Sequence, residues 1–156
     1  MKKLTFHLCL ILSIGSFNSN AQVLSTSLQK QLNKTEKAMF NTTANGDSTA
    51  FRKLAAKEYF TINADGKSAN LEQTMFDVPK FKGSTTELSE QRQRVFGNFV
   101  LRNGRAKFLF GGQPVAEVLY TTGWIYRDKR WQYVHWQGTL TGMSLPKNEM
   151  VAPPNK

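Results

Sequence analysis

The stretch WQYVHWQGT, residues 131–139, contains the residue best suited to acid–base chemistry. On an extended strand alternate side chains share one face, so Trp131, Tyr133, His135 and Gln137 are predicted to lie together. The imidazole of His135 titrates near neutral pH, and Tyr133 or Gln137 could then hold a substrate oxygen. If this face lines a cavity, it predicts the site of a lyase or isomerase.

Glu117, on the preceding strand, is the second predicted catalytic residue. A carboxylate in that position could orient the His135 ring and stabilise its cation. The alternative is a structural histidine that bonds across the sheet or packs in an aromatic interface. A single histidine without a second histidine or a fixed carboxylate favours this alternative, and both interpretations stay open.

Aromatic residues are numerous, with eleven Phe, four Tyr and three Trp, and they favour a binding function. Many of these aromatic side chains are expected in the core, but an apolar cavity with few polar groups is also the usual form of a small-molecule site. We therefore predict binding of a small apolar or amphipathic ligand, with no catalysis established. The predicted lining comprises Tyr133, Trp131, Gln137, Tyr120, Trp124 and Phe60.

Metal and nucleic-acid functions are not predicted. Beyond residue 21 the sequence has one histidine, His135, no cysteine and no carboxylates clustered at ligand spacing, so neither a metal site nor another cofactor is expected. Lysine and arginine total 21 against 11 acidic residues, but they are spread along the chain. Nucleic-acid binding would need a continuous basic stripe with stacking aromatics. Weak attraction to anionic surfaces is the milder interpretation.

Residues 1–21 have the pattern of a secretory signal peptide. Lys2 and Lys3 precede an apolar run over 4–17, and small residues allow cleavage after Ala21. The run is shorter than the roughly 20 residues of a membrane-spanning helix. Cleavage would remove Lys2 and Lys3 and lower the net charge from +10 to +8. We predict a periplasmic or secreted protein with no stable membrane insertion, a domain over 22–141 and a flexible tail over 142–156.

Three helices are predicted in the first half, over 23–44, 49–57 and 71–78. The first carries Leu24, Leu28 and Leu32 at helical spacing. Asp47 or Ser48 can cap the second helix and Asn70 the third. A strand over 58–63 and a turn over 64–66 separate the last two helices.

From residue 84 onward the sequence predicts a four-strand antiparallel meander. Asn103-Gly104 is a strong hairpin signal, Gly97 suggests a bend, and turns are also expected at 110–114 and 127–130. Helices first and then a meander predict an α+β fold, with the helices packed on one face of a strongly bent, mainly antiparallel sheet.

The order of these motifs, from a long helix through GD and YFTINADG to WQYVHWQGT, resembles the NTF2-like superfamily over about residues 26–141. Within it, the chain is most similar to the DUF4440 and SnoaL-like branch of small exported bacterial proteins. The resemblance implies a cone-shaped domain with a cavity at its open end. It also implies a homodimer formed through the outer face of the sheet.

The residues of the ketosteroid-isomerase branch are not matched. By resemblance, its helical tyrosine would fall at about Met39 and its carboxylate base at about Asn63 or Ala64. None of these side chains can do that chemistry, and Asp65 lies in a predicted turn. Acid–base chemistry of the SnoaL or dehydratase type at His135 is the remaining enzymatic alternative.

Overall fold

A computed structural model describes residues 22–141; the predicted signal peptide and tail lie outside the described residues. The chain forms three α-helices, one 3-10 segment and six strands. In order they are α1 (Thr26–Ala44), α2 (Ser48–Leu54), β1 (Ala55–Ile62), β2 (Ser68–Asn70), α3 (Leu71–Asp77), the 3-10 segment (Val78–Phe81), β3 (Ser84–Phe96), β4 (Phe99–Phe110), β5 (Gln113–Arg127) and β6 (Arg130–Leu140).

The strands form one mixed sheet in the order β2-β1-β6-β5-β4-β3. Strands β3 to β6 make the predicted antiparallel meander. Strand β1 pairs antiparallel with the short β2 and parallel with β6, so it lies between elements that are far apart in sequence. The α+β fold is confirmed, with α3 following the first two strands.

Short polar side chains set where the helices begin. Ser25 accepts a hydrogen bond from the Leu28 amide, so α1 begins three residues later than predicted. Asp47 caps α2, and Asn70 forms a reciprocal capping box with Gln73 at α3, as predicted. Helix α2 ends at Leu54, earlier than predicted, because the chain is already extended at Ala55.

The main core lies between the helices and the face of the sheet that they cover, here called the inner face. Leu32 and Met39 of α1 and Phe51 of α2 pack against Trp124 and Tyr133 of the sheet. The opposite side of the sheet is called the outer face. Side chains alternate between these two faces along the strands, which decides the surroundings of each candidate residue.

The hairpin predicted at Asn103-Gly104 is wrong. Strand β4 runs through both residues, and the turn between β3 and β4 falls at Gly97 and Asn98, where Gly97 has a φ of 61°. Gly104 is instead a point of close approach: an added Cβ would lie 2.7 Å from the Ser89 carbonyl oxygen. The glycine allows tight packing against β3 rather than a reversal of the chain.

The other two predicted turns of the meander are confirmed. Gly111 and Gly112 both adopt positive φ between β4 and β5. Asp128 and Lys129 do the same between β5 and β6, with φ of 53° and 58°. Two consecutive residues in this conformation match the twist of the strands that they join.

Candidate functional site

A buried ion pair lies between the long helix and the sheet. Glu36 replaces an apolar residue in the α1 stripe between Leu32 and Met39, and Arg102 lies on the inner face of β4 between Val100 and Gly104. Arg102 Nη1 donates to Glu36 Oε2 at 2.5 Å, and each residue is only 5% exposed. Such burial strengthens the attraction but removes the hydration of both charges.

Amide side chains form hydrogen bonds with most of the remaining donors and acceptors of this pair. Arg102 Nη2 donates to Asn33 Oδ1 at 2.5 Å, and Nε and Nη2 both donate to Gln93 Oε1, at 3.2 and 3.1 Å. The Gln91 amide nitrogen donates to Glu36 Oε2 at 3.2 Å and to the Tyr120 hydroxyl at 2.9 Å. We call Asn33, Glu36, Gln91, Gln93, Arg102 and Tyr120 the polar network.

One carboxylate oxygen in the network stays unsatisfied. Glu36 Oε1 is buried and has no hydrogen-bond partner among the described residues. An unpaired buried acceptor costs about 1–3 kcal/mol, and more when it carries charge. The network is therefore not arranged for stability alone.

Burial raises the pKa of the Tyr120 hydroxyl, and the hydrogen bond from Gln91 only partly offsets this effect. Tyr120 is therefore a protonated phenol at neutral pH. Because its oxygen already accepts from Gln91, its own proton is available for donation to an acceptor.

All residues of the polar network except Tyr120 line a cleft between α1 and β3 with a volume of about 700 Å³. This volume lies within the usual range for small-molecule sites. Phe40 and Leu88 supply apolar surface, while Lys37 and Arg92 add two positive charges to the lining. The cleft is thus amphipathic and carries more positive than negative charge.

An irregularity in β3 places the glutamines of the network. The pairing with β4 shifts between Ser89 and Arg92, and Glu90 adopts a φ of 53°. The bulge lies over Gly104, where an added Cβ would meet the Gln91 Cα at 3.3 Å and the Tyr120 ring at 3.2 Å. Gly104 therefore lets the bulged strand and the Tyr120 ring approach each other.

The chemistry available in the cleft is recognition by hydrogen bonds and charge. The guanidinium of Arg102 and the amides can bind oxygen atoms of a ligand, and Glu36 Oε1 can accept from a donor. Within residues 22–141, no three His, Cys, Asp or Glu side chains lie close enough together to hold a metal ion.

A bulge separates the residues predicted to share a face in β6. Gly123 lies opposite His135 and Trp124 lies opposite Tyr133, which leaves Val134 without a partner on β5. The extra residue reverses the alternation, so the predicted shared face is wrong beyond Tyr133. Trp131 and Tyr133 lie in the core on the inner face, whereas His135 and Gln137 lie on the outer face.

The surroundings of His135 are a strand neighbour and an aromatic ring. Its Nδ1 lies 3.2 Å from the Phe60 carbonyl oxygen, and the two rings are 4.4 Å apart. Partial burial lowers the pKa of His135, and the Phe60 carbonyl opposes this shift. Phe60 itself is 47% exposed, so this part of the outer face is accessible.

Glu117 and His135 are not brought together. Glu117 lies six positions along β5 from Gly123, the residue opposite His135, which corresponds to roughly 20 Å of strand. Its Oε1 accepts instead from Arg105 Nη1 at 2.9 Å. The structure therefore gives Glu117 a different partner from the predicted one.

Tyr120 is the one residue of the predicted ligand-binding set that belongs to the polar network. Trp136 stacks on its ring at 5.5 Å and 6°, on the inner face. Trp124 is fully buried, with its indole nitrogen bonded to Thr122 at 3.1 Å. Trp131 bonds the Leu28 carbonyl at 3.0 Å and joins the helix to the sheet.

Glu36 and Arg102 were missed in the sequence analysis, although both leave a signal. Glu36 is a charged residue within the helical spacing that links Leu32 to Met39. Arg102 alternates with Val100, Gly104 and Ala106 on a strand whose inner positions are otherwise small or apolar. A charge at a predicted core position, once on a helix and once on a strand, indicates a buried pair.

No helix in residues 22–141 combines the length and apolarity that crossing a membrane requires. Neither a protein-family model nor a curated protein sequence matches the chain.

Solved structures identify the fold. A protein of unknown function with a cystatin-like fold from Nostoc punctiforme superposes with a TM-score of 0.69 at 10% identity, over 80% of this chain and 98% of that chain. An NTF2-like protein from Cytophaga hutchinsonii gives a TM-score of 0.61 at 14% identity, over 72% and 98% of the two chains. An NTF2-like protein of unknown function from Pseudomonas putida gives 0.63 at 13% identity, over 75% and 89%.

The protein thus has the NTF2-like, or cystatin-like, α+β fold. At these identities the likeness concerns the fold alone, and function has to be argued from the site.

Proposed function

We propose that this protein binds a small amphipathic molecule in the cleft between α1 and β3. The observation that carries the proposal is the buried Glu36–Arg102 pair in the wall of a 700 Å³ cleft. A hydrophobic pair of similar volume would often stabilise a fold as well or better. The ion pair, its unsatisfied oxygen and the surrounding amides therefore favour recognition of a polar group, and Phe40 and Leu88 favour an apolar body beside it.

Native mass spectrometry of the protein purified from its producing cells tests this proposal. We expect a reproducible extra mass that is released on denaturation. The Glu36→Leu/Arg102→Met double variant should lose that mass while remaining folded. As a matched control, Arg52→Met/Glu72→Leu removes an exposed ion pair of the same type and should keep it. A ligand retained by the first double variant, or no ligand in any preparation, would count against the cleft.

The catalytic alternative, acid–base chemistry at His135, stays a prediction. Its imidazole lies on the outer face with the Phe60 carbonyl as its polar contact. Because the cleft and its polar network lie on the inner face, the geometry gives more support to binding in the cleft than to turnover at His135.

We further propose that two copies pair through the outer face. An apolar set of side chains lies there, here called the outer patch, comprising Phe60, Phe99, Leu101, Leu119 and Ile125. An added Cβ at Gly123 would meet the Phe99 ring and the His135 Cβ, both at 3.1 Å, which places these two on the same face. Phe60 and Leu119 are 47% and 49% exposed, and no helix of the described chain covers them. An apolar sheet face of this kind favours an interface.

Export through a cleavable signal over 1–21 is also proposed, on the sequence pattern alone. The intact mass of the protein from its producing cells tests it, since cleavage after Ala21 gives a chain that begins at Gln22. A mass that retains Met1 would contradict both cleavage and the periplasmic or secreted location.

A further inference from the structure

The Nε–Nη2 edge of Arg102 is held by one oxygen of Gln93, while Nη2 also donates to Asn33 Oδ1 at 2.5 Å. Nε and Nη2 of Arg102 both point at a single amide oxygen, Gln93 Oε1, at 3.2 and 3.1 Å. A carboxylate facing the same edge would supply two oxygens in parallel, at about 2.7–2.9 Å. The edge could thus take two acceptor atoms in parallel, of which Gln93 supplies one.

Gln93 can leave this position at low cost. It is an exposed residue of β3, and its amide nitrogen donates to Oε1 of Gln29, a half-buried cleft residue, at 2.6 Å. After displacement both glutamine side chains can bond to water at the cleft mouth. Arg102 meanwhile keeps its opposite end fixed, because Nη1 remains on Glu36.

The charge of the lining favours an anion. Lys37, Arg92 and Arg102 belong to the lining of the cleft, against the single carboxylate of Glu36. Among the described residues, Lys37 and Arg92 take part in no salt bridge. Glu36 occupies the Nη1 end of Arg102, so an anion on the Nε–Nη2 edge lies on a different side of the guanidinium. One added negative charge therefore reduces the imbalance of the cleft.

We infer that the cleft takes a monocarboxylate with an apolar body, whose carboxylate replaces the Gln93 amide on the Nε–Nη2 edge of Arg102. Phe40 and Leu88 contact the apolar body. The inference rests on the proposed binding function and names the chemical class of its ligand. A primary alcohol of the same length lacks the second oxygen and the charge, and an alkylammonium has the wrong charge.

Titration of the full protein with octanoate, octanol and octylammonium tests this inference. Binding is followed by the NMR signals of the Arg102 Nε and of the side-chain amides of Gln29, Gln91 and Gln93. We expect octanoate to shift these signals and to bind at least about tenfold more tightly than octanol, because a charge-assisted two-point contact is lost in the alcohol. Octylammonium should bind most weakly.

Three variants at β3 make the test specific to this edge. Gln93→Glu places a carboxylate on Arg102 from within the chain, and should weaken octanoate binding by about tenfold or more through occupation and like charge. Gln93→Ala leaves the edge open and should bind octanoate at least as tightly as the unmodified protein. Arg94→Gln, an exposed neighbour outside the cleft lining, changes the net charge by the same amount as Gln93→Glu and should leave binding unchanged.

Each contrary result identifies what has failed. Equal binding of octanol and octanoate would overturn the carboxylate class and leave binding in the cleft intact. Octanoate binding that is indifferent to Gln93→Glu would overturn the assignment to Arg102. If octanoate shifts none of these NMR signals while the native mass spectrum shows a bound ligand, the carboxylate inference alone would be overturned. If the NMR signals do not shift and the native mass spectrum shows no ligand, the proposed function would be overturned as well.

Discussion

Glu36 and Arg102 form an ion pair that the fold holds almost completely out of water. Removing one partner from such a pair leaves a buried charge without its counter-ion, whereas removing both leaves a site that apolar side chains can fill. The two cases separate the cost of breaking the pair from its net contribution to stability. They also separate a stabilising role from a recognition role.

We predict strong coupling between these two residues. Glu36→Leu and Arg102→Met should each lower the free energy of unfolding by about 3–5 kcal/mol, and the double variant should lose far less than the sum. Urea unfolding of the four proteins measures this cycle. The exposed pair Arg52–Glu72 provides the control cycle, with a coupling of no more than about 1 kcal/mol. Additive losses at Glu36 and Arg102 would contradict the prediction.

The pH dependence of stability should report the environment of His135. Partial burial lowers its pKa in the folded protein, so the unfolded chain binds the proton more readily. Stability contributed by the neutral ring is present above its ordinary pKa of about 6.5 and is lost as the pH falls through that value toward the folded pKa. Because the ring is only partly buried, the effect is small.

Thermal unfolding between pH 8 and pH 5 checks this sign. The unmodified protein should lose stability relative to His135→Gln as the pH falls, since the amide does not titrate. A stability difference that stays constant with pH would show that burial does not disfavour the imidazolium.

The sequence predicted the residue types of the core better than those of the site. Phe51, Trp124 and Tyr133 are apolar and fall at core positions, so their burial follows from periodicity. A site made of Glu36 and Arg102 depends on two residues 66 positions apart meeting across the core. No spacing along the chain encodes that distance, whereas the type of a residue such as His135 is enough to suggest acid–base chemistry.

At the scale of the elements, irregularities in the strands decide which side chains reach the cleft. The bulge in β3 brings Gln91 to Glu36 and Tyr120, and the bulge at Val134 sends His135 outward and Trp136 inward. A one-residue insertion exchanges the two faces of the remaining strand. The alternation of side chains in the sequence could not predict these positions, because the place of a β-bulge depends on how the strand packs against its neighbours.

Gly104 is the point at which the β3 bulge can be tested. Gly104→Ala places a Cβ 2.7 Å from the Ser89 carbonyl, so we expect a loss of about 1–3 kcal/mol in unfolding free energy from overpacking. The same substitution should weaken octanoate binding, because the Gln91 backbone has to move away. Denaturant unfolding and the NMR titration measure the two effects.

Gly138→Ala is the matched control for this substitution. Gly138 lies on the neighbouring part of the inner face, opposite Tyr120, and its added Cβ would meet only ordinary contacts at 3.4 to 3.6 Å. It should be neutral or slightly stabilising. Equal losses at the two positions would show that Gly104 has no special role in the bulge.

At the scale of the whole molecule, the outer patch predicts a dimer. Light scattering should give twice the mass of one chain for the unmodified protein. Leu119→Lys places a charge in the outer patch and should give a monomer, because a buried unpaired charge is strongly unfavourable in an interface. Phe76→Lys alters a residue that is 77% exposed on α3, away from the sheet, and should leave the mass unchanged. A monomeric unmodified protein would refute pairing through this face.

The order of helices and strands was predictable because long periodic segments and turn residues recur in a fixed sequence. The wrong hairpin at Asn103-Gly104 shows the limit, since the same dipeptide serves a close approach inside a strand. Local sequence patterns also could not predict the pairing of β1 with β6. It is a parallel contact that only the assembled sheet explains.

That parallel contact has a consequence for the order in which the chain folds. Phe60 of β1 lies opposite His135 of β6, 75 residues later, whereas the hairpins of the meander join neighbouring segments. Closing long loops is slow compared with forming hairpins. During synthesis β1 therefore has no partner on its β6 side until residues 130–140 have left the ribosome. Ribosome-bound chains that stop before β6 should stay open to protease along their first half, and such an unfolded chain is what the proposed export would require.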